Sequence, residues 1–486
     1  MNSPLILAID QGTSSSKCLL VDASGAIVAR GQAEVGQSTP KPGWVEQDAN
    51  AIWNSVRAAV AAALTPETAR RVVSVGLSTQ RESCVIWDRR NGEPLTPLLS
   101  WQDLRTESLC ADLRARGFGE IARRTSGLPL DPMFSAAKAK WLLDQIDPDR
   151  VRARAGDLVI GTIDAFLLAR FGGEAVIEAG NASRTQLLDV VAARFDDELL
   201  AIFDVPRAAL PNLVASVGPF PRTRGLAPLP DGVPVGAVMA DSHSALFAHG
   251  AFAPGPVKAT HGTGSSVMGL INDAGAATLD PGLCLTLAWQ IDAPVLAFEG
   301  NIRAAGATLV WAAALLGVEV GELARLAASV VDAEGVHLVP AFNGLGAPWW
   351  DGAAVATLSG FTLGTGRAQV ARAALDSIPH QIADVIDAVR VSGSRVDRLL
   401  VDGAMTRNDE LMRSEADLVG VPVVRSEAAE LSALGVAHLA GVSAGLFTLE
   451  RLAGLDRGAT TFAPRGTKRR ASRRAAWGAA LARSRG

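Results

Sequence analysis

Two glycine-threonine turns hold the residues of this chain best suited to chemistry: Asp10-Gln11-Gly12-Thr13-Ser14-Ser15-Ser16-Lys17 and His261-Gly262-Thr263-Gly264-Ser265-Ser266. Each follows a short apolar run, Leu5 to Ile9 and Val257 to Thr260, and precedes another, Cys18 to Val21 and Val267 to Ile271. The pattern predicts two β-hairpins, each with a tight turn opened by glycine. Glycine permits positive φ and lets bare backbone N–H groups approach an anion. Threonine and serine hydroxyls add donors, and Asp10, at a strand end, can hold a metal ion beside phosphates. Two such turns gripping a nucleoside triphosphate between two lobes make phosphate transfer or ATP hydrolysis the leading chemistry.

Three further groups of residues invite a reading. Gly76-Leu77-Ser78-Thr79-Gln80-Arg81-Glu82-Ser83 places polar and charged side chains directly after a β-branched run. Ligands bind at the carboxyl ends of strands in open α/β sheets. Arg81 and Glu82 offer donors and acceptors for a polyhydroxylated substrate, the plain alternative being a surface salt bridge. Asp241 follows the apolar run Val235 to Ala240 and precedes a helix-compatible stretch. A carboxylate there can take the proton of a substrate hydroxyl as that oxygen attacks phosphorus, and it can equally serve as a helix N-cap. His243 and His261 read as packing residues, because no metal-binding histidine pair and no nucleophile elbow surrounds them. Gly262-Thr263-Gly264 lacks the third glycine of a dinucleotide fingerprint, Val267 standing in its place, and a strand follows it, which argues against hydride transfer.

The elements that must position these groups alternate along the chain. Leu5–Ile9, Cys18–Asp22 and Ala26–Glu34 read as three consecutive antiparallel strands, Asp48 to Leu64 as a helix capped by Asp48, and Val72–Leu77 as a buried strand. Trp141-Leu142-Leu143 is expected to end a helix, and Asp164–Arg170 to belong to another. Six prolines from Pro211 to Pro234 mark a surface excursion leading into the strand Val235–Ala240. Ala253-Pro254-Gly255-Pro256 breaks the chain between a domain of residues 1–250 and a domain of residues 251–486. The second half repeats the scheme, with strands at Val257–Thr260, Val267–Ile271, Leu283–Trp289 and Arg398–Val401. Its helices are expected at Arg303–Leu316, at Arg367–Val391 and from Asn408.

Composition sets the outer limits. A chain of 486 residues exceeds one ordinary core, so two domains are expected. Hydrophobic residues at 48% and charged residues at 20% describe a soluble globular protein, and a net charge of −4 gives no electrostatic case for nucleic acid or membrane. No apolar run reaches the ~18–20 residues needed to span a bilayer. Four scattered cysteines and no signal-peptide pattern suggest a reduced, cytoplasmic protein with thiols as core fillers. Tyrosine is absent, which excludes phenol-dependent chemistry. From Arg457 onward no acidic residue occurs, and the cluster Lys468, Arg469, Arg470, Arg473 and Arg474 predicts a solvated final helix or frayed tail rather than a nucleic-acid contact.

Taken together these residues resemble the FGGY carbohydrate kinases, and within them the glycerol kinase branch. The resemblance runs from Asp10 to about Gly441. It is strongest at Asp10-Gln11-Gly12-Thr13, Thr79-Gln80-Arg81-Glu82, Trp101-Gln102-Asp103, Asn181-Ala182-Ser183-Arg184-Thr185, Val339 to Asp351, Val401 to Met412, and Leu431-Ser432-Ala433-Leu434-Gly435. It implies an α/β fold of two actin-like (ribonuclease H-like) lobes, each a mixed sheet flanked by helices, with ATP in the interlobe cleft. The N-terminal lobe would bind sugar or polyol and phosphate, the C-terminal lobe the nucleotide, with closure on binding. By the same resemblance Asp241 is the general base and Asp10 lies near Mg²⁺. Thr13, Ser14, Ser15 and Lys17 face the phosphates from one lobe and Thr263 from the other, Gly306, Ala404 and Asn408 line the nucleotide site, and Arg81, Glu82 and Trp101 hold the substrate.

The chain departs from that branch at Met133, where the branch has tyrosine, at Ser242, where it has glutamine, and at Ser266, where it has an aromatic. Val310 and Ala404 likewise replace a glutamine and a glycine. Loss of bulk at Met133, Ser242 and Ser266 predicts a roomier pocket, hence a tetritol or pentulose as acceptor and glycerol as a poor substrate. Glycerol itself is the alternative acceptor. A rival of another class is an actin-like ATPase, which would have no need of Arg81, Glu82 and Trp101. A homodimer is one option for assembly.

Overall fold

The run from Leu5 to Ile9 is buried throughout, so it becomes a central strand rather than an edge. In the computed structural model, which describes residues 3–466 and 468–486, the chain forms two compact units. The first comprises the chain up to Gly250 with Leu285–Leu296 and Glu430–Leu455, and the second comprises the remainder. In the first unit β1 (Leu5–Gln11) pairs antiparallel with β2 (Ser15–Asp22), and β2 with β3 (Ile27–Glu34). The predicted hairpin and its third strand are therefore present. On the other side of β1 lie β4 (Val72–Thr79) and β5 (Val235–Ala240), both parallel to it, giving the order β5-β4-β1-β2-β3. The register sets Asp10 beside Ser78 and Ala240 beside Thr79, so three parallel strands end at one level.

Two helices cover this sheet. Ala49–Ala63 is capped by Asp48, whose carboxylate accepts from the Asn50 N–H at 2.8 Å, and it buries Ile52, Val56, Ala59 and Val60. Leu431–Ser443 lies where strands β4 and β5 carry glycine: a methyl at Gly76 would stand 2.5 Å from the Val436 carbonyl oxygen. Strand glycines commonly mark such close approaches.

The second unit repeats the arrangement. β6 (Pro256–His261) and β7 (Ser265–Leu270) form the second hairpin, and β8 (Pro294–Ile302) pairs antiparallel with β7 through Ala297–Ile302. β9 (Arg398–Asp402) runs parallel to β6 as β4 does to β1, followed by β10 (Val423–Ser426) and β11 (Ala459–Phe462). The helices Arg367–Val391 and Asp409–Val419 agree with expectation, the latter capped by Asn408.

Four expectations are corrected. Trp141-Leu142-Leu143 lies inside the helix Ser135–Ile146, which stops where Asp147 precedes Pro148. The helix expected from Arg303 starts at Gly306, because the N–H groups of Ala305, Gly306 and Ala307 donate to the carbonyls of Gly262 and Thr263. None of Gly12, Gly262 and Gly264 has positive φ. Gly264 is required by space instead, since a methyl there would stand 2.3 Å from the Ile302 carbonyl oxygen. The basic C-terminal segment is a final helix, Lys468–Arg485, as one of its two readings has it, but a docked helix rather than a solvated one or a frayed tail. Trp477 is buried and donates to Asp384 at 2.9 Å, Arg473 pairs with Asp376 at 3.0 Å, and Arg474 pairs with Asp384 and Asp387. No single helix among the described residues is long and apolar enough to cross a membrane.

Candidate active site

In the first unit the ends of β1, β4 and β5 deliver three groups of polar residues to one place. Asp10 is the next-to-last residue of β1 and accepts from the Ser78 hydroxyl at 2.8 Å. Burial, reinforced by the Asp241 charge, pushes its carboxyl up to about 7 against the opposing pull of the Ser78 hydrogen bond and Lys17. Lys17 faces Asp10 across the hairpin. Asp241 is the first residue of the helix Asp241–Ala248, with Ala240 in the cap position, so the capping role expected of it falls one residue earlier. Its carboxylate accepts from the Ser242 N–H at 2.6 Å and lies 3.4 Å from the Arg81 guanidinium. With its side chain 36% exposed, it is open to a partner from outside the chain.

Arg81 and Glu82 are not a surface pair: they are 7% and 4% exposed. Glu82 has a φ of 58°, a left-handed conformation that non-glycine residues rarely adopt. Arg184 holds its carboxylate at 2.7 Å, Arg81 lies 3.7 Å away, and the Lys138 ammonium donates to its backbone carbonyl at 3.4 Å. Such strain persists where surroundings over-determine it, and it concentrates at ligand sites. Lys138 is wholly buried and also donates to the carbonyls of Pro132 and Met133, which fixes the loop carrying Met133. Burial draws its ammonium down to about 8.

The first turn closes through Gly12 N–H to the Ser15 carbonyl at 2.9 Å. Thr13 is gripped twice, by Gln47 at its carbonyl (2.8 Å) and by the Trp101 indole N–H at its hydroxyl (3.0 Å). Trp101 thus reaches the turn itself. Ser14 is exposed, and Ser15 opens β2.

In the second unit Gly262 and Thr263 are exposed at the crest of their turn. Gly306 packs on it from one side, its N–H donating to the Gly262 carbonyl at 3.0 Å. From the other side comes Gly403, with a φ of 99°, where a methyl would stand 2.2 Å from the His261 carbonyl oxygen. Ala404 follows it, and the Asn408 side-chain carbonyl accepts from the N–H groups of Glu410 at 3.0 Å and Leu411 at 3.1 Å. Thr263, Gly306 and the loop before Ala404 are therefore immediate neighbours. Ser266 stands apart from them on β7, donating to the buried Glu299 at 2.9 Å.

Asp10, Arg81, Glu82 and Asp241 are brought together as expected. Arg184 and Lys138 were missed. Arg184 lies 102 positions from its partner Glu82, and no local pattern marks it, although it falls within a stretch singled out for its resemblance. His243, as expected, is buried, 3.4 Å from the Thr286 hydroxyl. Among the described residues no cluster of three or more metal-ligating side chains occurs.

Residues 5–248 match the N-terminal domain of the FGGY family of carbohydrate kinases and residues 257–444 its C-terminal domain. The chain is 42% identical over 489 residues to glycerol kinase from Dechloromonas aromatica, covering 99% of this chain and 97% of that one. It is 41% identical over 455 residues to glycerol kinase from Paraburkholderia phytofirmans, covering 92% and 90%. Among solved structures it is similar to Plasmodium falciparum glycerol kinase with ADP, at 28% identity and a TM-score of 0.91, covering 99% of this chain and 98% of that one. It shares its fold with xylulose kinase from Rhodospirillum rubrum, at 23% identity and a TM-score of 0.83, covering 99% of each.

Proposed function

We propose that this chain, which belongs to the FGGY family of carbohydrate kinases, is a glycerol kinase that transfers the γ-phosphoryl group of ATP to a primary hydroxyl of glycerol. Family membership makes it an ATP-dependent phosphotransferase and sets aside the actin-like ATPase. The relatives also correct the acceptor. The expectation of a tetritol or pentulose, drawn from Met133, Ser242 and Ser266, is overturned by relatives named glycerol kinase that align at 41–42% identity over nearly the whole chain. The inference failed because lost bulk is not lost recognition. The charged groups that grip a polyol, Arg81 and Glu82, are retained and buried, and the Ser266 hydroxyl is occupied by Glu299.

The observation that carries the proposal is the half-exposed Asp241 carboxylate, 3.4 Å from Arg81, at the end of a strand beside those of Asp10 and Glu82. Arg81 and Glu82 bind the glycerol hydroxyls and orient one of them toward Asp241, and Trp101, whose indole N–H donates to Thr13, completes the substrate contacts. As the glycerol oxygen forms its bond to the γ-phosphorus, its proton passes to Asp241 and the bond from phosphorus to the ADP oxygen breaks. Thr13, Ser14, Ser15 and Lys17 serve the phosphates from the first unit. Thr263 does so from the second, where Gly306, Ala404 and Asn408 bound the nucleotide. Asp10 suits a Mg²⁺ ion, because its desolvated carboxylate lies near a second carboxylate and a hard divalent cation would relieve both. When bound, Mg²⁺ neutralises charge on the β- and γ-phosphate oxygens. Four free, buried thiols fit a reducing, cytoplasmic setting.

The test is product identification. Incubation with glycerol and ATP gives ADP and glycerol phosphorylated at a primary carbon, read by phosphorus NMR. ADP formation at the same rate without acceptor contradicts the proposal.

A further inference from the structure

His261 is the last residue of β6, immediately before the second turn, and its side chain is completely buried. Nε2 of its imidazole lies 3.1 Å from the Glu415 carboxylate, itself completely buried on the helix Asp409–Val419. The other ring nitrogen, Nδ1, lies 3.2 Å from the hydroxyl of Ser265, the residue paired with His261 across the hairpin. One ring therefore closes the base of the turn and fastens it to the helix that Asn408 caps. The contact is a charge pairing at 3.1 Å rather than a well-aligned hydrogen bond, and among the described residues no hydrogen bond reaches either oxygen of the Glu415 carboxylate. The backbone of Gly403 rests on the His261 carbonyl from above.

We propose that the His261–Glu415 pair is a proton-linked strut that holds the nucleotide turn in its binding shape, intact while the imidazole is charged and released when the proton leaves. This rests on the nucleotide reading of the second turn but not on glycerol as acceptor. A buried carboxylate without a counter-charge is costly, whereas a matched pair is tolerated. The charged groups facing His261 are Glu415 from its helix and Asp402 from β9, both anionic. Burial works against the imidazolium, but the adjacent Glu415 charge, with Asp402 adding to it, raises the imidazole above its ordinary value. Because the folded value is raised, the stabilisation is complete below the unperturbed range near 6.5 and is lost as pH climbs through the raised value. Above it, Glu415 and Asp402 remain as two anions beneath a turn that must receive polyphosphate. Neither residue touches substrate, so both are positioning residues.

The test compares ADP binding by calorimetry in the wild type and Glu415→Gln, from about pH 7 to about pH 9.5. The amide keeps an acceptor for the imidazole while removing the buried charge. Wild-type affinity should fall about tenfold across this range, equivalent to about 1.4 kcal/mol, and the variant should stay flat. Superimposable profiles overturn the proposal. Should the variant fail to fold, the wild type decides alone through its ¹³C-labelled histidines, six in all. One imidazole that stays protonated well above the unperturbed range supports the strut, and six neutral rings at neutral pH exclude it. ADP binding needs no acceptor, so this inference and the glycerol assignment fail separately.

Discussion

Asp241 combines a position after a buried strand with a side chain that remains accessible, and that combination suits the base proposed for it better than a purely structural carboxylate. Asp241→Asn keeps the shape and removes the proton acceptor. It should lower kcat by about 10²–10⁴-fold with little change in the thermal midpoint, as steady-state kinetics and a melting curve will show. Arg184 presents the opposite case. It lies against Glu82 with neither side chain in solvent, and Arg184→Met leaves a buried carboxylate short of its nearest cation. The cost should be about 3–5 kcal/mol in chemical denaturation, with a raised KM for glycerol in whatever folds. A stability loss below about 1 kcal/mol would show that Arg81 alone suffices. Asp241 was legible in the sequence because it directly follows an apolar run, and Arg81 and Glu82 because they lie in the polar segment that ends another. Arg184 was not, because its partner Glu82 is distant in sequence, and Lys138 was not, because nothing local distinguishes a buried cation from a surface one.

The hairpins, the parallel strands and the cap at Asp48 follow from alternation, β-branching and turn chemistry, and all were legible as elements. Their reasons were less so. Glycine in the second turn answers to the Ile302 carbonyl oxygen, not to backbone dihedrals, and only the packed sheet reveals that neighbour. The helix Asp241–Ala248 likewise owes its position to Gly435, where a methyl would stand 1.8 Å from the Ser244 carbonyl oxygen. Gly435→Ala forces the two helices apart and moves the helix that Asp241 begins. Stability should fall by about 1–3 kcal/mol and kcat should fall with it, whereas KM for ATP should hold. Unchanged kcat in the folded variant would mean that helix spacing does not set the base. The C-terminal helix was misread because charge was weighed without Trp477. One buried indole, bonded to Asp384, converts a basic stretch into part of the second unit.

Across the whole molecule, each unit pairs a glycine hairpin with a parallel neighbour strand, β1 with β4 and β6 with β9. Asp241, Arg81 and Glu82, for which the base and polyol-binding roles are proposed, belong to the first unit, and the second turn with the His261–Glu415 pair belongs to the other. The repeated hairpin was readable from the two turns half a chain apart, while the identity of the acceptor was not. Three altered wall residues suggested extra room, yet pocket size depends on how surrounding chains settle, which residue volumes alone do not state. The acceptor assignment proposed from the relatives is glycerol. Its most direct test is kcat/KM for ATP-dependent phosphorylation of glycerol measured beside tetritols, pentitols and pentuloses in one coupled assay. Glycerol should give the highest value, and a higher value for any four- or five-carbon acceptor would refute the assignment.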